Sequence, residues 1–340
     1  MSANHAVWFS APRTVELREE QVVAPGPGEV QVRALSSAVS RGTEMLVYRG
    51  EVPAELPLDL PSLAGGFGFP IKYGYASVGR VEAVGEDVVR LVPEDLVFAL
   101  HPHQSVYTLP ATLIVRLPPT LDPELGTFTA NVESAISIVH DTQLRLGETA
   151  VVFGQGVVGL LVTQLLRRAG AGCVLAIDPL EGRRALAVRV GADEALVPGD
   201  DLGARIQKLT DGRGADVAVE ASGSTAALQQ AIEAVAIEGT VVVASWYGVK
   251  PVALELGGHF HRGRVRLHSS QVGRIAPELS TRWDHPRRLA TVVELLPQLE
   301  LASLVTSRQP LHAAADVYRR LDEHPDEDVL TLLTYEDGNV

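Results

Sequence analysis

From Val7 to Leu117 the apolar positions fall in short alternating runs, such as VQVRAL and VGRVEAV, cut by Pro- and Gly-rich punctuation (APGPGE, LAGGFGFP, RLPPTLDP). A period of two puts successive side chains on opposite faces of a strand, so this stretch predicts a mainly β, barrel-like unit. From about Asn131 the period lengthens. Helix-like ESAISIVHDTQL is followed by strand TAVVFG, helix GLLVTQLLRRAGA, strand CVLAID, helix EGRRALAVRVGA, strand ADVAVEAS, helix TAALQQAIEAVAI and strand GTVVVASW. Strands alternating with amphipathic helices predict a parallel sheet covered by helices on both faces. After VRLHSSQ, the helix PRRLATVVELL and the pair AADVYRRLDE and VLTLLTY are too little for a third domain, and are expected to complete the first. The reading is thus an α/β chain with residues 1–130 and 271–340 in one domain and 131–270 in the other. DEHPDED, near the C-terminal end, reads as a solvated acidic turn.

The stretch VVFGQGVVGLL, Val151 to Leu161, sits where the first strand of this series meets its helix. A G-x-G-x-x-G spelling alone is weak evidence, because glycines mark turns everywhere. Its position gives it meaning: Gly154 permits a tight turn, Gly156 lets backbone approach a pyrophosphate, and Gly159 allows close packing of helix on strand. The turn and the first helical residues, Gly154, Gln155, Gly156, Val157, Val158 and Gly159, then offer free amides and a positive helix end to phosphates. Nineteen residues beyond Gly159 the next strand ends in Asp178. An acid there accepts hydrogen bonds from the adenosine ribose and repels a 2′-phosphate, which favours NAD over NADP. Arg183, which follows, is expected along the adenine, or on a 2′-phosphate if NADP is used.

Composition narrows the setting. The 340 residues carry a formal charge of -13, which argues against nucleic acid or an anionic membrane surface as partner. No apolar run approaches the roughly 18–20 residues of a membrane span, and no signal-peptide core is present, so a cytoplasmic protein acting on a small molecule is the expectation. The sole cysteine, Cys173, excludes any zinc site that needs two or more cysteines from this chain.

The segments VQVRALSSAVSRGTE, YGYASVGRVEAVGEDV, VESAISIVH, VVFGQGVVGLL, VAVEASG and VRLHSSQ together resemble the medium-chain dehydrogenase/reductase superfamily, of the zinc alcohol and polyol dehydrogenase type, over essentially the full chain. The spellings SRGTE, HRGRVRLHSSQVG and RWDHPRR are most similar to its bacteriochlorophyllide-dehydrogenase-like subgroup. The resemblance implies a GroES-like catalytic domain, a Rossmann domain, and a homodimer joined through VRLHSSQ. It also implies that EASGS and VASWYG border the cofactor, with Ala221, Ser222 and Ser245 among its contacts. The family's three catalytic zinc ligands fall on Arg41, Tyr75 and Glu133. A guanidinium cannot ligate a cation and one carboxylate falls short of the usual three protein ligands, so no zinc is expected. His101 and His103, read as an exposed pair near a loop, are the remaining alternative source of ligands.

Without a metal, something else must stabilise the oxygen from which hydride departs or to which a proton is added. Tyr75, Arg41 and Thr43 are the catalytic candidates: a phenol favoured as phenolate by a neighbouring guanidinium, with a hydroxyl at the family's proton-relay position. Lys72 is a further proton donor to consider. The plainer reading is a salt bridge between Arg41 and Glu133 filling the old site. The expected activity is zinc-independent, NAD(H)-dependent interconversion of a secondary alcohol and a carbonyl. The alternatives are NADPH-dependent quinone or enone reduction, and a nonenzymatic dinucleotide-binding protein.

Overall fold

A computed structural model describes residues 4–58, 62 and 65–335. The chain forms two compact units, one of Met1–Ala130 with Val293–Val340 and one of Asn131–Val292.

In the first unit the alternating runs become strands. Six lie in the order Val305–Pro310, Leu330–Thr334, Glu29–Val39, Ser77–Val84, Leu96–Ala99 and Ile114–Arg116, with Val106–Pro110 pairing Glu29–Val39 outside this path. The long strand Glu29–Val39 alternates buried and partly exposed positions along its first half and then buries Ser37, Ala38 and Val39, where it meets Leu330–Thr334. A smaller sheet orders Thr14–Glu20, Asn4–Ala11 and Ile71–Lys72. Phe9, Met45, Tyr48, Tyr73 and Tyr318 fill the core between it and the helices Thr43–Arg49 and Ala314–Glu323.

The second unit has a six-stranded parallel sheet in the order Glu194–Leu196, Cys173–Ile177, Thr149–Phe153, Ala215–Glu220, Val235–Val243 and Arg266–Ser269. Its order reverses between Thr149–Phe153 and Ala215–Glu220, the place where doubly wound sheets open a crevice for ligands. All five residues of Thr149–Phe153 are buried, as befits a strand covered on both faces, while all four of Arg266–Ser269 are exposed. The strand Glu194–Leu196 and helix Leu202–Leu209 carry too short and too polar a pattern to stand out in the sequence.

The return to the first unit comes at Val293, later than the expected residue 271. The cause is Arg288, 2% exposed, on the helix His285–Leu295. Its guanidinium bonds Glu133 and Ser137 on the helix Thr129–Thr142, which ties the intervening segment to the second unit. The acidic stretch is solvated only in its middle. Asp328 is buried and accepts from Arg320, and Asp322 pairs with Arg13 and Arg49.

Candidate active site

The glycine turn divides its three glycines by what surrounds them. Gly154 has φ +89°, and a Cβ there would lie 2.8 Å from Cα of Ser222. A Cβ on Gly159 would lie 1.8 Å from the carbonyl oxygen of Gly154. Both are therefore required by the protein's own packing. A Cβ on Gly156 would meet nothing within 4 Å, so the backbone there faces open space. Gly156 also caps the helix Val157–Ala169, whose first-turn amides at Val157, Val158 and Gly159 lack intrahelical acceptors. An open glycine beside free amides at a positive helix end fits a pyrophosphate.

Gln155 turns inward. Its fully buried side chain donates to the Val152 carbonyl at 2.9 Å and accepts from Thr163 Oγ1 at 3.2 Å. Its amide donates to Asp178 Oδ2 at 2.7 Å, and Leu180 donates to Oδ1 at 2.9 Å. The expectation that Asp178 simply faces a ribose needs this addition: the carboxylate, 2% exposed, first braces the glycine turn against the next strand. A carboxylate offers about four acceptor positions, so two remain for ribose hydroxyls. Arg184 folds back on the carbonyls of Asp178 and Pro179, and Arg183 lies half-buried in the helix Glu181–Arg189.

Ala221, Ser222 and Ser245 stand on the loops that follow the two strands beside the crevice. Ala221 donates its amide to Phe153 at 2.8 Å, and Ser245 Oγ accepts from the Gly223 amide at 2.8 Å. The residue that organises both loops is Glu220, fully buried, which sequence reasoning named only as the start of EASGS. An acid closing the apolar run Val217–Val219 is the signal for it.

In the first unit the structure brings Tyr75 and Thr43 together and takes Arg41 away. The Tyr75 hydroxyl lies close enough to the side-chain hydroxyls of Ser40 and Thr43 for both to act on its acidity. Arg41 donates instead to the backbone carbonyls of Pro325 and Asp328. The phenol is thus not drawn toward phenolate by a guanidinium: burial first, and then the charge of Glu44, push its pKa up to about 12, against smaller opposing effects of the two hydroxyls. Lys72 is engaged elsewhere, donating to Glu20 and Gln104 at 2.8 Å each.

Glu44, fully buried, is the second acid that the sequence did not flag. It accepts from the Ser40 amide at 2.9 Å and from the Tyr318 hydroxyl, and it lies 3.0 Å from His103 Nε2. His103 Nδ1 in turn lies 2.6 Å from Ser37 Oγ, which contacts the Tyr335 hydroxyl at 2.8 Å. His101 and His103 are therefore core residues, 7% and 0% exposed, and not a surface pair. His101 stacks on Tyr107 with ring centroids 3.8 Å apart, and burial lowers its pKa to about 3. Gly74 has φ +126°, and a Cβ there would strike the His103 ring at 2.8 Å. That close approach sets the backbone next to Tyr75.

Glu133 does not pair with Arg41. Arg288 holds it through Nε at 3.0 Å and Nη2 at 2.8 Å, while the same guanidinium donates to Ser137 Oγ at 2.7 Å and the Val272 carbonyl at 2.6 Å. An arginine, a half-buried phenol and a carboxylate neutralised by a buried guanidinium do not make a donor set for zinc. Among the described residues no group of three or more His, Cys, Asp or Glu is gathered as metal ligands, and no helix is long and apolar enough to cross a membrane.

A doubly wound sheet with a glycine turn opening at its crevice, carried with a mainly β unit, is the architecture of a dinucleotide-binding two-domain protein. Comparison with known proteins agrees. Residues 157–285 match the zinc-binding dehydrogenase family. The (R,R)-butanediol dehydrogenase of Bacillus subtilis is 31% identical over 265 residues, covering 68% of this chain and 75% of that protein. The D-guloside 3-dehydrogenase of Escherichia coli is 29% identical over 349 residues, covering 96% and 98%. A crystal structure of an Escherichia coli oxidoreductase of unknown specificity superposes with a TM-score of 0.82 at 18% identity, covering 98% of this chain and all of that one. The chain belongs to the zinc-type medium-chain dehydrogenase/reductase superfamily, with a GroES-like and a Rossmann domain. It is an oxidoreductase that uses a nicotinamide dinucleotide.

Proposed function

We propose that this oxidoreductase interconverts a secondary alcohol and a carbonyl on a small molecule without zinc, with Tyr75 exchanging the proton. The observation that carries the reading is the Tyr75 hydroxyl, near the hydroxyls of Ser40 and Thr43 and within the field of buried Glu44, at a position the resemblance gives to a metal ligand. A phenol with its pKa near 12 is protonated at neutral pH. It is therefore suited to donate to the carbonyl oxygen during reduction, with Thr43 as the hydroxyl through which the proton is replaced. The bound nicotinamide supplies the hydride. Arg41, held by two backbone carbonyls, braces the turn at Pro325–Asp328 and is left out of the chemistry.

NAD(H) is the favoured cofactor, because the Asp178 carboxylate at the end of the second crevice strand opposes a 2′-phosphate. A homodimer is supported by the strand Arg266–Ser269, which is exposed and pairs on one side only. The deciding experiment measures NADH oxidation against a panel of ketones and aldehydes after exhaustive chelation, with metal content determined in parallel. Retained turnover in metal-free protein, lost in Tyr75→Phe, is expected. Stoichiometric zinc with chelator-sensitive turnover would overturn the reading, and NADPH preference with enone reduction would replace it.

A further inference from the structure

We propose that Glu220 is a positioning residue for the cofactor, binding two crevice loops and the phosphate turn into one rigid body. Its carboxylate is fully buried and accepts four hydrogen bonds. Oε1 takes the Ser222 amide at 2.7 Å, the Ser222 hydroxyl at 2.6 Å and the Gly223 amide at 2.8 Å. Oε2 takes the Tyr247 hydroxyl at 3.0 Å. One side chain therefore satisfies donors from both the loop after Ala215–Glu220 and the loop after Val235–Val243.

The two loops are joined again around Gly223. Its amide also donates to Ser245 Oγ at 2.8 Å, and its carbonyl accepts from Lys250 Nζ at 3.0 Å. Ser222, the residue that Glu220 grips most closely, lies against Gly154 with no room for a Cβ between them. Displacing Ser222 therefore displaces or loosens the first glycine of the phosphate turn. An anion at this position draws the Ser222 and Gly223 amides inward, leaving the amides of the glycine turn as the donors directed at a phosphate. Buried charge-assisted bonds of this kind lose their geometry as a set when the acceptor is removed.

The inference rests on the assignment of Gly154–Gly159 to the dinucleotide phosphates, and the test separates the two. NADH binding is measured by fluorescence titration on the full chain, with folding checked by circular dichroism. Glu220→Ala should weaken NADH binding at least about tenfold. Glu220→Gln should stay within about threefold, because its oxygen still accepts the three loop donors and its amide donates to a rotated Tyr247 hydroxyl. That rescue is not expected of a charge acting on the cofactor directly. Folded Glu220→Ala with wild-type affinity overturns the proposal, as does Glu220→Gln falling as far as Glu220→Ala. If Glu220→Ala does not fold, Tyr247→Phe, which removes the donor to Oε2 from a half-buried side chain, decides, with a loss of about threefold or more expected and no loss overturning it. Gly156→Val that still binds NADH normally refutes the phosphate assignment alone, whatever Glu220 does.

Discussion

The glycine turn proposed for the cofactor phosphates and the Tyr75 centre are built from opposite materials. The turn presents backbone amides, and its side chains matter chiefly by being absent or by turning inward, as Gly154, Gly159 and Gln155 do. The Tyr75 centre presents side chains, and its backbone is shaped to carry them, as at Gly74 against His103. A backbone site is specified by local spacing and tolerates many neighbours. A side-chain site depends on which residues from distant segments converge, here Ser37, Ser40, Glu44, His103, Tyr318 and Tyr335.

The comparison can be broken most forcefully at Tyr75. Tyr75→Phe keeps the ring and removes the proton, and should lower turnover by about 10²–10⁴-fold with NADH affinity unchanged. Steady-state kinetics beside a binding titration would separate the two effects. Next comes Arg288→Met, which strands Glu133 in a largely buried setting and should cost about 3–5 kcal/mol of stability. Adding Glu133→Leu should recover part of that loss in a urea titration. Recovery of nothing would mean that Arg288 matters through Ser137 and Val272 alone.

Gly156→Val sharpens the contrast from the other side. Its Cβ would meet no protein atom within 4 Å and the backbone at Gly156 has negative φ, so the variant should fold normally. Its NADH affinity should fall by about a hundredfold, roughly 2.7 kcal/mol, since the pyrophosphate loses its approach.

An effect that grows as pH falls is expected in acid. His101 is neutral in the folded state down to about pH 3, whereas its unfolded counterpart takes a proton near pH 6.5. Its contribution is complete above pH 6.5 and is lost as pH falls toward 3, at roughly 1.4 kcal/mol per pH unit. His101→Gln should flatten the stability curve across that window.

The smallest change concerns Glu44. Its charge raises the Tyr75 pKa, so Glu44→Gln should move the alkaline limb of the reduction rate to lower pH. A profile that stays in place would remove Glu44 from the electrostatics of the site.

Much of the second unit is legible in sequence because parallel strands buried on both faces write long apolar runs, such as Val151–Phe153, and because the tight turn at Gly154 and the close packing at Gly159 follow from spacing. The polar edge strand Glu194–Leu196 left no such run and was missed. Helix TAALQQAIEAVAI was expected to reach Ile237, yet it stops at Ala234, where β-branched Val235 pairs beside Ala215 and the chain becomes strand. In the first unit, position in motifs singles out Thr43 and Tyr75 as candidates, but it does not reveal their surroundings. Arg41 is only two residues from Thr43, and nothing local says that its long side chain turns toward the Pro325–Asp328 carbonyls.

The sequence alone determined the class of fold and the place of the glycine turn between the first parallel strand and its helix, because both depend on periodicity or short-range spacing. Only the tertiary structure decided that Glu133 belongs to Arg288, that His101 and His103 are core residues, and that Tyr75 answers to Glu44. Those relations join residues tens to hundreds of positions apart, as with Glu44 and Tyr318. Protonation and pairing there are set by burial and by which charge lies nearest, neither of which one-dimensional order encodes.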